Sequence, residues 1–222
     1  MLAGEAVVAI WNGIAPGTRE QFYDWHVNEH MPERVGIPGF RRGRRYIAAD
    51  AATHPEFFTL YEADAMPVLQ GADYTARLND PTPGTRATTA QFTDTFRALA
   101  RVLVSHGPGM GGALLTVRFE CDETHLIAVR ALVRAAAEAR HVTGAHLCAG
   151  DRAASLARTT EYTDRADVQP PPACFALVEA TEPDALADIL QDRGLLGAGA
   201  EGPFVRGVYR LEYVRLRTGF AA

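Results

Sequence analysis

The chain has no lysine: all 22 of its basic residues are arginine, set against 27 acidic residues for a net charge of −5. That balance leaves no basic footprint for nucleic acid or an anionic membrane surface. With abundant alanine, the exclusive use of arginine reads as codon bias. Cysteine is scarce, and Cys121, Cys148 and Cys174 lie far apart. Without a CxxC pair a zinc ribbon or a disulfide scaffold is excluded, and a reducing cytosol fits. No apolar stretch reaches the roughly 18 residues a membrane-spanning helix needs, and no basic segment precedes an apolar run at the start. The expectation is a cytoplasmic protein with no nucleic-acid or membrane partner. What is present is ordinary globular composition, 47% hydrophobic and 22% charged over 222 residues, enough to bury a core.

The chain reads as if written twice. Strand-like Ala6–Trp11 opens one half and Ala113–Phe119 the other. Each leads into a helical pattern, 18–34 and 123–140, then a glycine-led strand, 39–50 and 144–151. The third strands match best: Pro55-Glu-Phe-Phe-Thr-Leu-Tyr-Glu62-Ala aligns without a gap with Pro172-Ala-Cys-Phe-Ala-Leu-Val-Glu179-Ala. Short helices at 65–79 and 182–193 and closing strands at 96–105 and 208–217 complete both copies. This β-α-β-β-α-β order is the split-βαβ, ferredoxin-like motif. It predicts an α+β fold of two ferredoxin-like halves, 1–107 and 108–222, joined at the glycine-rich turn 107–112. Their antiparallel sheets should associate face to face with helices outside, closing a barrel within one chain or between two. The proline-bearing stretch 152–172 reads as a surface loop.

In the first helix Thr18 and Gln21 are spaced as a capping box. At about 100° per residue, Phe22, Tyr23, Trp25, Val27 and Met31 form one apolar arc. His26 and His30 fall inside it with Glu29 close by, where a plain core would hold leucine. Since i and i+3 are neighbours on a helix, Glu29 should orient His26 and Glu33 should serve His30. Pro32 is expected to disturb the second couple, leaving His30 the looser and more exposed imidazole.

The stretch Trp25-His-Val-Asn-Glu-His-Met-Pro-Glu-Arg-Val-Gly-Ile-Pro-Gly-Phe40, followed by Arg44-Arg45-Tyr46, resembles the dimeric α/β-barrel superfamily, especially its EthD-like and related bacterial members. Phe58–Glu62 and Tyr74–Pro83 extend the resemblance over most of the first half; the second half matches in pattern only. The resemblance implies a homodimer and a shared architecture with scattered chemistry: cyclases, lactone isomerases, cofactor-free monooxygenases and haem enzymes. The site must therefore carry the functional argument.

Three readings of the histidine pair stay open. Both imidazoles could be satisfied core residues. They could share a metal, since His26-Val-Asn-Glu29-His30 formally matches the inverted zinc-protease signature, although no third ligand is identifiable and no metal is expected. Or His26, His30 and Glu29 could perform general acid–base catalysis in an apolar pocket without a cofactor. In that reading Tyr46, Tyr61 and Tyr74 are donors to a developing enolate, and Trp25 and Arg44 complete the substrate-binding set, Arg44 as a carboxylate partner. Alternation places Arg42, Arg44 and Tyr46 on one strand face and Arg41, Arg45 and Ile47 on the other. The implied ligand is a small, partly aromatic molecule, met by a cyclase, isomerase or oxygenase, by a non-catalytic carrier, or by a protein whose halves serve only association.

Overall fold

Both faces of β1 (Ala6–Ile14) are buried, and closure of the sheet explains why. Val7, Ala9 and Trp11 point one way into a shared interior, while Ala6, Val8 and Ile10 point the other way beneath helices. The structure is a computed structural model that describes residues 1–164 and 167–218. The remaining strands are β2 (Phe40–Ala48), β3 (Phe57–Ala63), β4 (Phe92–His106), β5 (Ala113–Glu120), β6 (Val142–Gly150), β7 (Val168–Gln169), β8 (Cys174–Ala180) and β9 (Glu201–Leu216). Eight of them form a closed antiparallel barrel in the order β4-β1-β3-β2-β9-β5-β8-β6, with β6 returning to β4; β7 adds a short parallel pairing to β4. Within it, β4-β1-β3-β2 and β9-β5-β8-β6 are two sheets with the same internal order, joined at both edges through β2–β9 and β4–β6. The barrel thus closes within one chain and leaves no free barrel edge.

The barrel interior is apolar at one end and ionic at the other. Trp11 packs on Phe58 at 4.9 Å and edge-on to Phe175 at 5.3 Å, and its indole nitrogen donates to Thr116 Oγ1 at 3.1 Å. At the opposite end Arg44 lies between Glu62 and Glu179, with ion pairs of 2.9 and 3.0 Å. Arg42 holds Glu62 in a bidentate grip at 2.7 and 2.8 Å, and His146 donates to Glu179 at 3.1 Å. Burial opposes ionisation of Glu179, but the His146 hydrogen bond and the Arg44 charge outweigh it and pull its pKa down to about 2.

Two glycines sit at corresponding points of the two four-stranded sheets. A Cβ on Gly4 would sit 1.9 Å from the Ala63 carbonyl oxygen, and one on Gly111 would sit 1.9 Å from that of Ala180. In each place the chain must press backbone against backbone at the third strand's end. Gly4→Ala and Gly111→Ala should each cost about 2–3 kcal/mol. At about 2–4 °C per kcal/mol for a chain of this size, calorimetry should show matching drops in Tm; loss at one position alone would break the equivalence.

Helices cover the outside. The first crossover is α1 (Arg19–Trp25), a π-helical turn (His26–His30) and α2 (Met31–Gly36); α3 (Met66–Gln70), α4 (Ala72–Asn79) and α5 (Pro83–Thr89) follow β3. In the second half α6 (Leu126–Ala136) packs over β6 and β4 and buries Val129 and Val133 in the outer core. The expected capping box does not form: Thr18 Oγ1 donates to the Ala15 carbonyl at 2.7 Å, and Gln21 reaches Thr88 instead. The expected helix over 182–193 is a 3₁₀ turn (Pro183–Leu186), followed by α9 (Asp192–Gly197). The stretch 152–172 is also not a plain surface loop. It forms α7 (Arg152–Ser155), α8 (Thr160–Asp164) and β7, and buries Ser155 and Glu161; residues 165 and 166 lie outside the described residues. Its anchors are distant polar partners that local composition does not reveal: Glu161 pairs with the buried Arg34, and Leu99 N–H donates to Ser155 Oγ.

Candidate functional site

The first crossover helix winds one residue wide between His26 and His30, where the Met31 N–H bonds to the His26 carbonyl. Such π-helical turns are uncommon and often mark functional positions. Here the wide turn fixes three orientations. His26 and His30 both face the sheet, at 2% and 3% exposure, so the imidazole expected to be exposed at His30 is buried like its neighbour. Glu29 swings sideways toward α5. Its carboxylate accepts hydrogen bonds from the hydroxyls of Thr82 and Thr85, tight against Gly84. Glu33 pairs with Arg34 at 2.9 Å. Neither expected His–Glu couple exists, because the extra residue in the turn breaks the i, i+3 geometry on which both rested.

His26 takes its partners from the sheet. Its Nε2 lies 3.2 Å from Tyr61 Oη on β3, and Arg45 Nη1 on β2 approaches its Nδ1 at 3.4 Å. A guanidinium can only donate, so Nδ1 accepts and Nε2–H donates to the tyrosine oxygen. Arg45 is itself held by Glu212 on β9, at 3.1 Å, and stacks over Tyr23 at 4.2 Å. Tyr23 donates to the other Glu212 oxygen at 2.5 Å. The chain Glu212–Arg45–His26–Tyr61 therefore runs from the second half of the molecule to the first helix. Burial, aided by the Arg45 charge, pulls the His26 pKa down to about 3, so the imidazole is neutral at physiological pH. Its side-chain NMR signals should stay flat from pH 5 to 8; a midpoint in that range would show that the ring is hydrated or differently paired.

Aromatic rings complete the surroundings. Phe22 stacks on His26 at 5.3 Å, and Trp25 stacks on His30 at 4.3 Å while donating to Thr85 Oγ1 at 3.1 Å. His26, His30, Trp25 and Tyr61, with Phe22 and Phe92 among others, line a cavity of about 10 Å³, room for one water-sized occupant. The two imidazoles are near-parallel, 5.9 Å apart with planes at 26°, an arrangement that does not converge their nitrogens on one ion. Among the described residues no group of three or more His, Cys, Asp or Glu could hold a metal.

The sequence-predicted residues do not all meet here. Trp25, His26, His30 and Tyr61 line the cavity, and Glu29 is turned away from it. Tyr74 lies further along the same face, accepting from Arg97 at 3.0 Å and packing on Phe40. Arg44 and Tyr46 point into the barrel, with the sheet between them and His26. Arg44 and Tyr46 share the interior face of β2, opposite the face that Arg45 presents to His26, so they stand apart from the cavity. Arg45, on the helix-facing side, is the arginine that reaches His26. Glu212 carries no local signal, because its contact depends on β9 pairing with β2 across the seam.

No protein-family profile and no curated protein matches the sequence. Solved structures do match in shape. An anthrone oxidase-like protein superposes with a TM-score of 0.61 at 11% identity, covering 95% of this chain and 92% of its own. Two proteins described as putative monooxygenases, from Fusobacterium nucleatum subsp. nucleatum and Lactobacillus acidophilus, each superpose with a TM-score of 0.56 at 10% identity. They cover 99% and 96% of this chain and 98% and 96% of theirs. At these identities the likeness is one of fold.

Proposed function

We propose that this chain binds a small, partly aromatic substrate between its first crossover helix and the sheet, and acts on it without a cofactor as an oxygenase, cyclase or isomerase. The observation that carries the reading is the Glu212–Arg45–His26–Tyr61 chain ending at the wall of an aromatic cavity. Tyr61, receiving a hydrogen bond from neutral His26, is the stronger donor for it and suits an oxygen on which enolate charge develops. His26 holds that donor in place rather than acting as a strong base. The cavity takes only a water-sized occupant, so substrate entry requires the first crossover helix to move outward.

The likeness to an anthrone oxidase-like protein supports a first substrate to try. Anthrone has an acidic C–H between aromatic rings, and with O2 it gives anthraquinone and water. Anthraquinone formation in air should exceed the uncatalysed rate and fall at least tenfold in Tyr61→Phe, which keeps the ring and removes only the hydroxyl. No turnover of anthrone or other enolisable aromatics, together with no binding, would leave the second reading. In that reading the same rings are a packed core and the molecule serves association, which the small cavity favours.

Three finer readings accompany this. The EthD-like resemblance of residues 25–46, the origin of the chain from two ferredoxin-like copies, 1–107 and 108–222, and a cytoplasmic homodimer are all proposals. The repeated strand order and the paired glycines Gly4 and Gly111 support the second.

A further inference from the structure

Among the described residues six arginines are buried, and five of them have evident polar partners. Arg34 pairs with Glu33 and Glu161, Arg42 with Glu62, Arg44 with Glu62 and Glu179, and Arg45 with Glu212. Arg97 donates to Tyr74 and to the Ser155 carbonyl. The sixth is Arg118 on β5, at the apolar end of the barrel. It is 6% exposed, and among the described residues it has neither a carboxylate at ion-pair distance nor a hydrogen-bond acceptor. Its guanidinium lies 3.9 Å over the Phe96 ring and 5.1 Å from that of Trp11. Desolvation draws its pKa down to about 10, which still leaves it charged at neutral pH. A buried cation without a counter-charge is costly, and aromatic faces return only part of the loss.

Arg118 lies on the wall of a cleft of about 280 Å³. The other walls are Phe119, the run Pro170–Pro172, Pro203 and Val205, and Glu120 and Arg152 also line it. Stacking on Phe96 covers a face of the guanidinium and leaves its in-plane N–H fork available, the edge that binds a carboxylate bidentately. The rigid proline and phenylalanine walls suit a flat apolar body. The barrel wall separates this cleft from the cavity at His26, so it is a second site.

We propose that the Arg118 cleft is a binding site for an aromatic monocarboxylate, with the carboxylate on the Arg118 fork and the ring against Pro170–Pro172 and Phe119. A monoanion fits better than a dianion such as phosphate, because one desolvated cation is supplied and Glu120 also lines the cleft. Isothermal titration with 2-naphthoate and with its uncharged isostere 2-naphthamide tests this. Wild-type protein should bind naphthoate at least tenfold more tightly than naphthamide. Arg118→Met keeps the stem and removes the charge; it should erase that preference without weakening naphthamide. Val205→Glu, a change at a residue 38% exposed on the cleft wall, brings a competing carboxylate and should also cost naphthoate at least tenfold. It supplies the test independently if Arg118→Met does not fold. Equal affinity of the wild type for both probes, or naphthoate binding untouched by the folded variants, overturns the site.

Discussion

Arg44→Met should lower the stability of the protein by about 3–5 kcal/mol at pH 7, the largest loss expected from any single side chain in the barrel. Arg44 is fully buried and is the one cation placed between Glu62 and Glu179, both also fully buried. Methionine fills similar length but leaves Glu179 with only its His146 hydrogen bond and the Gly111 amide. Glu62 keeps Arg42, so Glu179 bears most of the penalty. At about 2–4 °C per kcal/mol, Tm should fall by roughly 6–20 °C. The loss should shrink in acid, where the stranded carboxylate can protonate, and Glu179→Gln added to Arg44→Met should recover part of it. An Arg44→Met protein that melts like the wild type would show that water already neutralises this end of the barrel.

The second large effect is acid lability from His26. Its pKa is about 3 in the folded chain against an ordinary value of 6.5, so on acidification the unfolded state takes up its proton first. Stability is intact above about 6.5 and drains as pH falls toward 3, at about 1.4 kcal/mol per pH unit for one proton. Glu179 drains in the same direction, but its window runs from about 4.5 down to 2. Between pH 6.5 and 4.5 His146, whose pKa burial also pulls down, drains the same way, so in urea titrations the His26 share is the difference between wild type and a His26 variant. His26→Phe preserves the stacking on Phe22 and should flatten that slope by about one proton's worth. Parallel pH–stability curves for variant and wild type would mean that His26 is protonated with a partner in the native state.

Much of the architecture was legible because it repeats. The gapless match between 55–63 and 172–180 put Glu62 and Glu179 at equivalent positions, and both face the barrel interior. Alternation on the arginine-rich strand separated Arg44 from Arg45, the two sides of the barrel wall. What alternation could not supply was the distance between those sides, so Arg44 and Tyr46 were grouped with a histidine lying behind the sheet. The two His–Glu couples failed for a different reason. They assumed 3.6 residues per turn in a segment that departs from it, and Thr82 and Thr85 then offered Glu29 a better set of donors. Glu212 and Glu161 were illegible because their partners lie far away in the chain, 167 residues from Arg45 and 127 from Arg34.

The wide turn at His26–His30 also sets a limit on how this helix can vary. It holds one residue more than an α-helical path between the same endpoints. Asn28 is exposed in its middle and bonds only to Asp24, so its removal would forfeit almost no packing. Deleting it would let the turn close to α-helix between the same endpoints, so Phe22 and Trp25 before it and Met31 and Val35 after it would keep their places against the sheet. The segment is therefore tolerant of substitution at Asn28, and the cost of losing the residue falls on the sideways reach of Glu29 to Thr82 and Thr85 rather than on the packed residues either side.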